Sequence, residues 1–341
     1  GKLQKISEEY TIYQKLLKYF YEADERYNSG LFRFKKDKNN PQTPVDDVTP
    51  KLILDDKVLK KIIKELYYPE SPYQFSEIPV EILGQAYEQF LGKVIRVTKG
   101  GICKIEEKPE VRKAGGVYYT PEYIVDYIVK NTVGKLIEGK KPKDIEKIKI
   151  VDPACGSGSF LIGAYKYLLN YHLEYYTQAK KQTKEIKNAL TPDGRLTTNE
   201  KKRIRLNNIH GVDIDSQAVE VTKLSLLLKA MEGETESSIK QQMVLFHERV
   251  LPTLDNNIKC GNSLIGMDFY EWELLGLDGE TTRRKIKPFD WKNGFPEVFK
   301  QDGFDAVIGN PPYVILDGDN TTNDYFKSKY NVSRGGKTNL Y

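Results

Sequence analysis

Val151-Asp152-Pro153-Ala154-Cys155-Gly156-Ser157-Gly158-Ser159-Phe160 is the stretch on which the fold turns. An apolar, β-branched run at 148–151 enters it and a helical pattern leaves it from Ser159, so the glycines fall on a turn between a strand and a helix. Gly156 and Gly158 let the backbone approach a ligand closely, and the helix N-terminus that follows favours an anionic group. Leu161 stands where the third glycine of a G-x-G-x-x-G dinucleotide fingerprint would be, and the turn has no Gly-Lys-Ser/Thr to cradle a triphosphate. On these residues alone the turn is either a nucleotide pocket or a structural device.

Downstream of this turn, short apolar runs at 209–212, 258–260 and 304–308 alternate with helical stretches, among them 216–231. That alternation predicts an α/β domain with a mainly parallel, Rossmann-like sheet covered on both faces, whose functional residues lie at the carboxyl ends of the strands. Upstream, Thr120 and Pro121 read as an N-cap and first-turn pair opening a helix with Ile124, Val125, Ile128 and Leu136 on its apolar face. The first 110 residues show helical spacing, in Tyr10, Tyr13, Leu16, Leu17, Phe20 and again in Val80, Leu83, Tyr87, Phe90, Leu91, Val94. The expected organisation is therefore a helical N-terminal domain over 1–110, interrupted by a polar loop at 35–50, and an α/β domain over 111–341.

Composition narrows the classes. With 341 residues, 39% apolar, the chain can bury two cores. No run approaches the length of a membrane span and the first residues lack a leader's apolar segment, so a cytoplasmic protein with no membrane partner is expected. Cys103, Cys155 and Cys260 are widely separated and lack metal-ligand spacing, so reduced thiols and no metal are expected. The net charge of +5 is mild, but residues 165–206 carry ten Lys or Arg against four acids. Such a run is ordinarily a solvated face; its functional reading is phosphate contact through Lys201, Lys202, Arg203 and Arg205, with Arg283, Arg284 and Lys285 as a second group. Glu106-Glu107-Lys108 matches half of a nuclease triplet, which a chain rich in Glu and Lys yields by chance.

Three more strand ends carry chemistry. Gly211-Val212-Asp213-Ile214-Asp215 places an acid where a ribose diol is gripped, with Asp215 better suited to capping the next helix. Cys260-Gly261-Asn262-Ser263-Leu264 offers a side-chain amide with both a donor and an acceptor. Asp305-Ala306-Val307-Ile308-Gly309-Asn310-Pro311-Pro312-Tyr313 removes two backbone donors, leaving carbonyls and the Asn310 oxygen to accept hydrogen bonds from a planar amino group, with Tyr313 as a stacking face.

With these blocks in this order, the chain resembles the amino-group DNA methyltransferases of the adenine-N6 family, in the arrangement called gamma, as in type II-G restriction-modification enzymes. The likeness covers about residues 70–341. It implies a class I methyltransferase sheet with S-adenosylmethionine as methyl donor, held by Tyr119, Thr120 and Pro121 and by the turn Asp152, Pro153, Ala154, Cys155, Gly156, Ser157 and Gly158. Asp213 would bind its ribose, Ile214 would pack on its adenine, and Asn262, where the family commonly has Asp, would meet the adenine amino edge beside Ser263. Asn310, Pro311, Pro312 and Tyr313 would be catalytic, acting on an adenine flipped out of double-stranded DNA. The resemblance also implies a nuclease domain or subunit outside this chain, and a target-recognition domain beyond Asn339-Leu340-Tyr341, before which the chain is expected to stop. Other readings are a methyltransferase of protein glutamine or ribosomal RNA amino groups, and a cofactor-binding modification subunit of a multi-chain restriction complex.

Overall fold

In the computed structural model the described residues are 2–27, 45–72, 93–98, 100–107, 120–179, 183–234, 253–269, 286–311, 315–316, 321–330 and 338–339, with Phe34, Ile78, Ile82, Gly84 and Ala86. The chain divides into two compact units, Gly1–Ile82 with Met231–Leu254 and Leu83–Ala230 with Asp255–Tyr341. Among the described residues no helix is long and apolar enough to cross a membrane.

The first unit contains the helices α1 (Lys2–Ser7), α2 (Ile12–Tyr27) and α3 (Asp56–Glu65). Ile6, Ile12, Leu16 and Ile63 form its core, with Leu3, Tyr19, Phe20, Leu59 and Tyr67 packed around them. The N–H groups of Thr11 and Ile12 donate to the two carboxylate oxygens of Asp56, each at 2.9 Å. The first residue of α3 thus satisfies donors at the start of α2 that the helix itself cannot. Tyr10, expected on the apolar face, is 86% exposed. Thr11 stands at φ 58° between it and Ile12, so Tyr10 is outside the helical register.

The second unit contains an antiparallel hairpin of β1 (Lys93–Val97) and β2 (Cys103–Glu107). This corrects the helical expectation at Val94. The β-branched run Val94, Ile95, Val97 followed by Gly100-Gly101 favours a strand and a reversal over a helical turn, and Gly101 takes φ 77° there. Val80, Leu83, Tyr87, Phe90 and Leu91 lie outside the described residues.

Four strands, β3 (Ile150–Asp152), β4 (Ile209–Asp213), β5 (Ile258–Cys260) and β6 (Ala306–Val307), form a sheet in the order β5-β4-β3-β6. All three pairings are parallel, as the alternating pattern predicts, with Ile150 opposite both Ile209 and Ala306. The chain starts at β3, steps outward to β4 and β5, then returns to lay β6 on the other side of β3. The direction of stepping reverses between β3 and β6, and in an open α/β sheet that reversal opens a crevice at the carboxyl ends. The helices that accompany these strands include α4 (Glu122–Val129), α5 (Ser159–Gln178), α6 (Thr198–Asn208) and α7 (Ser216–Met231). Gly163 of α5 lets α4 approach closely, since a Cβ there would lie 2.6 Å from Val125 Cγ1. Buried Ile150, Ile209, Val212, Leu161, Leu168, Val129 and Leu226 make the core of these layers.

Two arginines of the basic stretch, Arg203 and Arg205, are not free phosphate contacts. Arg203 pairs with Glu200 at 2.6 Å and Glu146 at 3.2 Å. Arg205 is fully buried, and its guanidinium nitrogens have no hydrogen-bond partner among the described residues. Helical spacing places Arg205 beside Ile204 on the inner side of α6, which removes it from the expected phosphate contacts. Arg283, Arg284 and Lys285 lie outside the described residues.

Candidate active site

The β3 end supplies Asp152, buried to 1% exposure, whose carboxylate accepts the Ala154 N–H at 3.0 Å. Burial pushes its pKa up to about 7, with the neighbouring Asp213 adding to the rise. From the neighbouring β6 end, Gly309 comes so close that a Cβ there would lie 2.6 Å from the Asp152 carboxylate. Only a residue without a side chain lets the two strand ends meet at the crevice.

The Gly-rich turn is tied to β4 and α7. The Cys155 N–H donates to Val212 O at 3.0 Å, and the Gly156 N–H donates to Asp213 Oδ2 at 2.8 Å. The Thr222 hydroxyl donates to Gly156 O at 2.8 Å, while Gly158, at φ 90°, starts α5 with no side-chain cap. The Cys155 thiol is buried and held well above its ordinary pKa by that burial. All three cysteines are free, and among the described residues no group of three or more His, Cys, Asp or Glu is arranged to hold a metal.

At the β4 end, Asp213 Oδ1 also accepts the Asp215 N–H at 2.8 Å. Each carboxylate oxygen therefore takes one backbone donor and keeps lone-pair capacity for another. Burial raises the Asp213 pKa, opposed by the hydrogen bonds from the Asp215 and Gly156 N–H groups and, least, by Lys287. Ile214 beside it is 45% exposed, an apolar side chain uncovered at the strand end. Asp215 caps the next helix, its Oδ1 accepting the Gln217 N–H at 2.9 Å.

At the β5 end, Asn262 Oδ1 accepts the Leu264 N–H at 3.0 Å, closing a turn. The Ser263 hydroxyl donates to Pro153 O, and Trp291 Nε1 donates to Ser263 O at 3.0 Å, which ties this loop to the Gly-rich turn.

The β6 end carries Asn310, half-buried, and Pro311, exposed. Asn310 Nδ2 donates to Thr120 Oγ1 at 3.1 Å. This corrects the expected N-cap. The cap position of α4 is Pro121, whose carbonyl accepts from Ile124 at 3.0 Å and Val125 at 3.2 Å, and no side chain caps the helix. Proline fixes its own φ for that position, leaving the Thr120 hydroxyl to face Asn310 instead. Tyr119, Pro312 and Tyr313 lie outside the described residues.

The crevice thus brings together Thr120, Asp152, Asp213 and Asn310 from distant parts of the chain. Three contributors escape a reading of the sequence: Thr222, Gly309 as the neighbour of Asp152, and Lys287, whose ammonium donates to Ile214 O at 3.0 Å. Thr222 leaves a faint trace, a polar residue inside the apolar stretch of α7; Lys287 leaves none.

Two family models match the chain: N-6 DNA methylase over residues 79–248 and Eco57I restriction-modification methylase over residues 207–341. The type II restriction enzyme and methyltransferase RM.Eco57I of Escherichia coli is 32% identical over 326 residues, covering 93% of this chain and 29% of that protein. A putative type II restriction enzyme and methyltransferase of Methanocaldococcus jannaschii is 30% identical over 294 residues, covering 72% of this chain and 21% of its own length. The chain therefore spans less than a third of these relatives. Among solved structures, the type IIL restriction-modification enzyme MmeI in complex with DNA aligns with TM-score 0.42 and 14% identity, covering 92% of this chain and 42% of that one.

Proposed function

This chain belongs to the N-6 DNA methylase family, in its type II restriction-modification branch, and from that premise we propose that it transfers a methyl group from S-adenosylmethionine to the N6 nitrogen of an adenine flipped out of double-stranded DNA. The observation that carries the reading is the placement of Asn310 at the β6 end, directly across the switch point from the buried Asp152 of β3.

The residues at the strand ends fit the cofactor. Asp213 has acceptor capacity left for a ribose diol, and Ile214 offers an exposed apolar side chain to an adenine face. Asp152 is a buried acid whose one hydrogen bond within the turn comes from a neutral backbone N–H, so it is suited to the charged amino-acid end of the ligand. Tyr119, Thr120, Pro121 and the residues of the turn complete the set, with Asn262 and Ser263 on the far side. When bound, S-adenosylmethionine supplies a methyl group activated by a sulfonium.

The chain's own work is on the other reactant. An adenine amino nitrogen is a weak nucleophile because its lone pair is delocalised into the ring. Asn310 Oδ1 and the Pro311 carbonyl accept the two amino hydrogens and favour a pyramidal nitrogen with its lone pair localised. Tyr313 stacks on the extruded base and offsets part of the few kcal/mol lost on unpairing. Preoriented acceptors and positioning, rather than a strong base, then carry the rate.

The test is methyl transfer to DNA by the full-length protein carrying Asn310→Ala. The expected result is unchanged cofactor affinity by calorimetry with methylation lowered by at least about a hundredfold. Full-rate methylation by that variant would remove the assignment, and transfer to RNA or protein in place of DNA would replace the substrate.

A further inference from the structure

An asparagine amide has two faces of opposite character, and only one of them serves an amino group. Turned one way, Asn310 presents an oxygen to the incoming NH2; turned the other way, it presents its own NH2, and donor meets donor. Nothing in the side chain's own torsion decides between the two, because rotation of a terminal amide is broad and roughly two-fold. The decision has to come from a neighbour. In this structure Asn310 Nδ2 donates to Thr120 Oγ1 at 3.1 Å, across 190 residues of sequence. Thr120 immediately precedes Pro121, the N-cap of α4, and α4 is locked against α5 by the close approach at Gly163, so the hydroxyl is held by a rigid support.

We propose that Thr120 is a positioning residue for the methyl-transfer step: its hydroxyl oxygen takes the Asn310 amide NH2 and thereby aims Asn310 Oδ1 at the substrate amino group. This rests on the function proposed above and adds a role to a residue that the family resemblance places only among those holding the cofactor. A Thr hydroxyl accepts and donates at once, so its proton stays available to the cofactor side while its lone pair holds Asn310.

Orientation and affinity separate under substitution. Thr120→Val keeps the shape and removes the acceptor; in the full-length protein it is expected to lower kcat for DNA methylation by about tenfold or more, with the KM for DNA within about twofold. Thr120→Ser, which restores the hydroxyl, is expected to recover most of that loss. The decisive arm replaces Asn310 by Asp. A carboxylate offers two equivalent oxygens and has no wrong face, so in an Asn310→Asp background the further change Thr120→Val is expected to cost less than about twofold. Equal losses in the Asn and Asp backgrounds, or a Thr120→Val enzyme changed only in cofactor affinity, would overturn the positioning role. Failure of the functional reading looks different: there Asn310→Ala itself methylates at full rate.

Discussion

The carboxyl edge of the sheet and the basic stretch at 165–206 are both polar segments of the same unit, and they spend their polarity in opposite ways. At the sheet edge, carboxylates and amides stop at strand ends, where β3, β4 and β6 leave them half-satisfied and facing a crevice. In the basic stretch, two of the arginines are consumed inside the fold, while Lys184, Lys187 and Arg195 stay exposed: Glu200 takes both Arg203 and the Tyr176 hydroxyl, and Arg205 is buried outright. Density of charge is thus a poor guide to a site. What marks one here is polar capacity left unused at a place where backbone geometry forces an opening.

The largest effect that follows concerns Asp213. Its two oxygens organise the Gly156 and Asp215 N–H groups, so Asp213→Ala should strip both partners and the proposed ribose contact together. A drop of about a hundredfold in S-adenosylmethionine affinity is expected by calorimetry, equivalent to roughly 3 kcal/mol. Unchanged affinity would reduce the strand-end acid to a structural clamp and erase half of the contrast.

Asp152 gives a smaller and pH-dependent effect. Its folded pKa, about 7, lies above the ordinary aspartate value because burial disfavours the charged form. In the ligand-free protein this group's contribution to stability is therefore fully present at low pH and is lost as pH rises toward and through about 7. Asp152→Asn should abolish that decline in thermal melts across the same window. Binding a cationic ligand favours the ionised form, so cofactor affinity should rise with pH below about 7, by up to about tenfold per unit, and then level off. In Asp152→Asn the affinity profile should be flat over that range; a slope that survives the substitution assigns the titration to another group.

Legibility in the sequence follows the same divide. The strand-helix alternation is readable because each strand is short, apolar and ended by Gly or an acid, and α7 and β5 fall at the expected bounds. The hairpin is not, because Val94 satisfies a helical period as well as a strand's, and only the glycines after it tip the balance. In the site, the strand-end residues announce themselves by position, whereas the Thr120–Asn310 hydrogen bond depends on β6 returning beside β3, a pairing that no local pattern contains. Thr120 next to a proline reads as a cap from sequence alone; which group meets its hydroxyl is a tertiary fact.

The smallest expected change tests the other side of the comparison, the inward-facing arginines. Arg205 is buried without a hydrogen-bond partner among the described residues, and burial lowers its pKa. Replacing a buried, unpaired cation by an apolar side chain of similar length removes a desolvation cost, so Arg205→Met should leave stability unchanged or raise it by about 1 kcal/mol in denaturant melts. Arg203→Ala should instead lower stability by about 1 kcal/mol, since it frees Glu200, which is mostly buried, and Glu146. Neither change should alter how DNA affinity falls with salt. Removing an arginine that neutralises a phosphate would make that slope shallower by about one, because each neutralised phosphate releases a condensed counterion. A shallower slope in Arg205→Met would mean that the side chain reaches DNA after all, and that the basic stretch belongs with the sheet edge as part of the working surface.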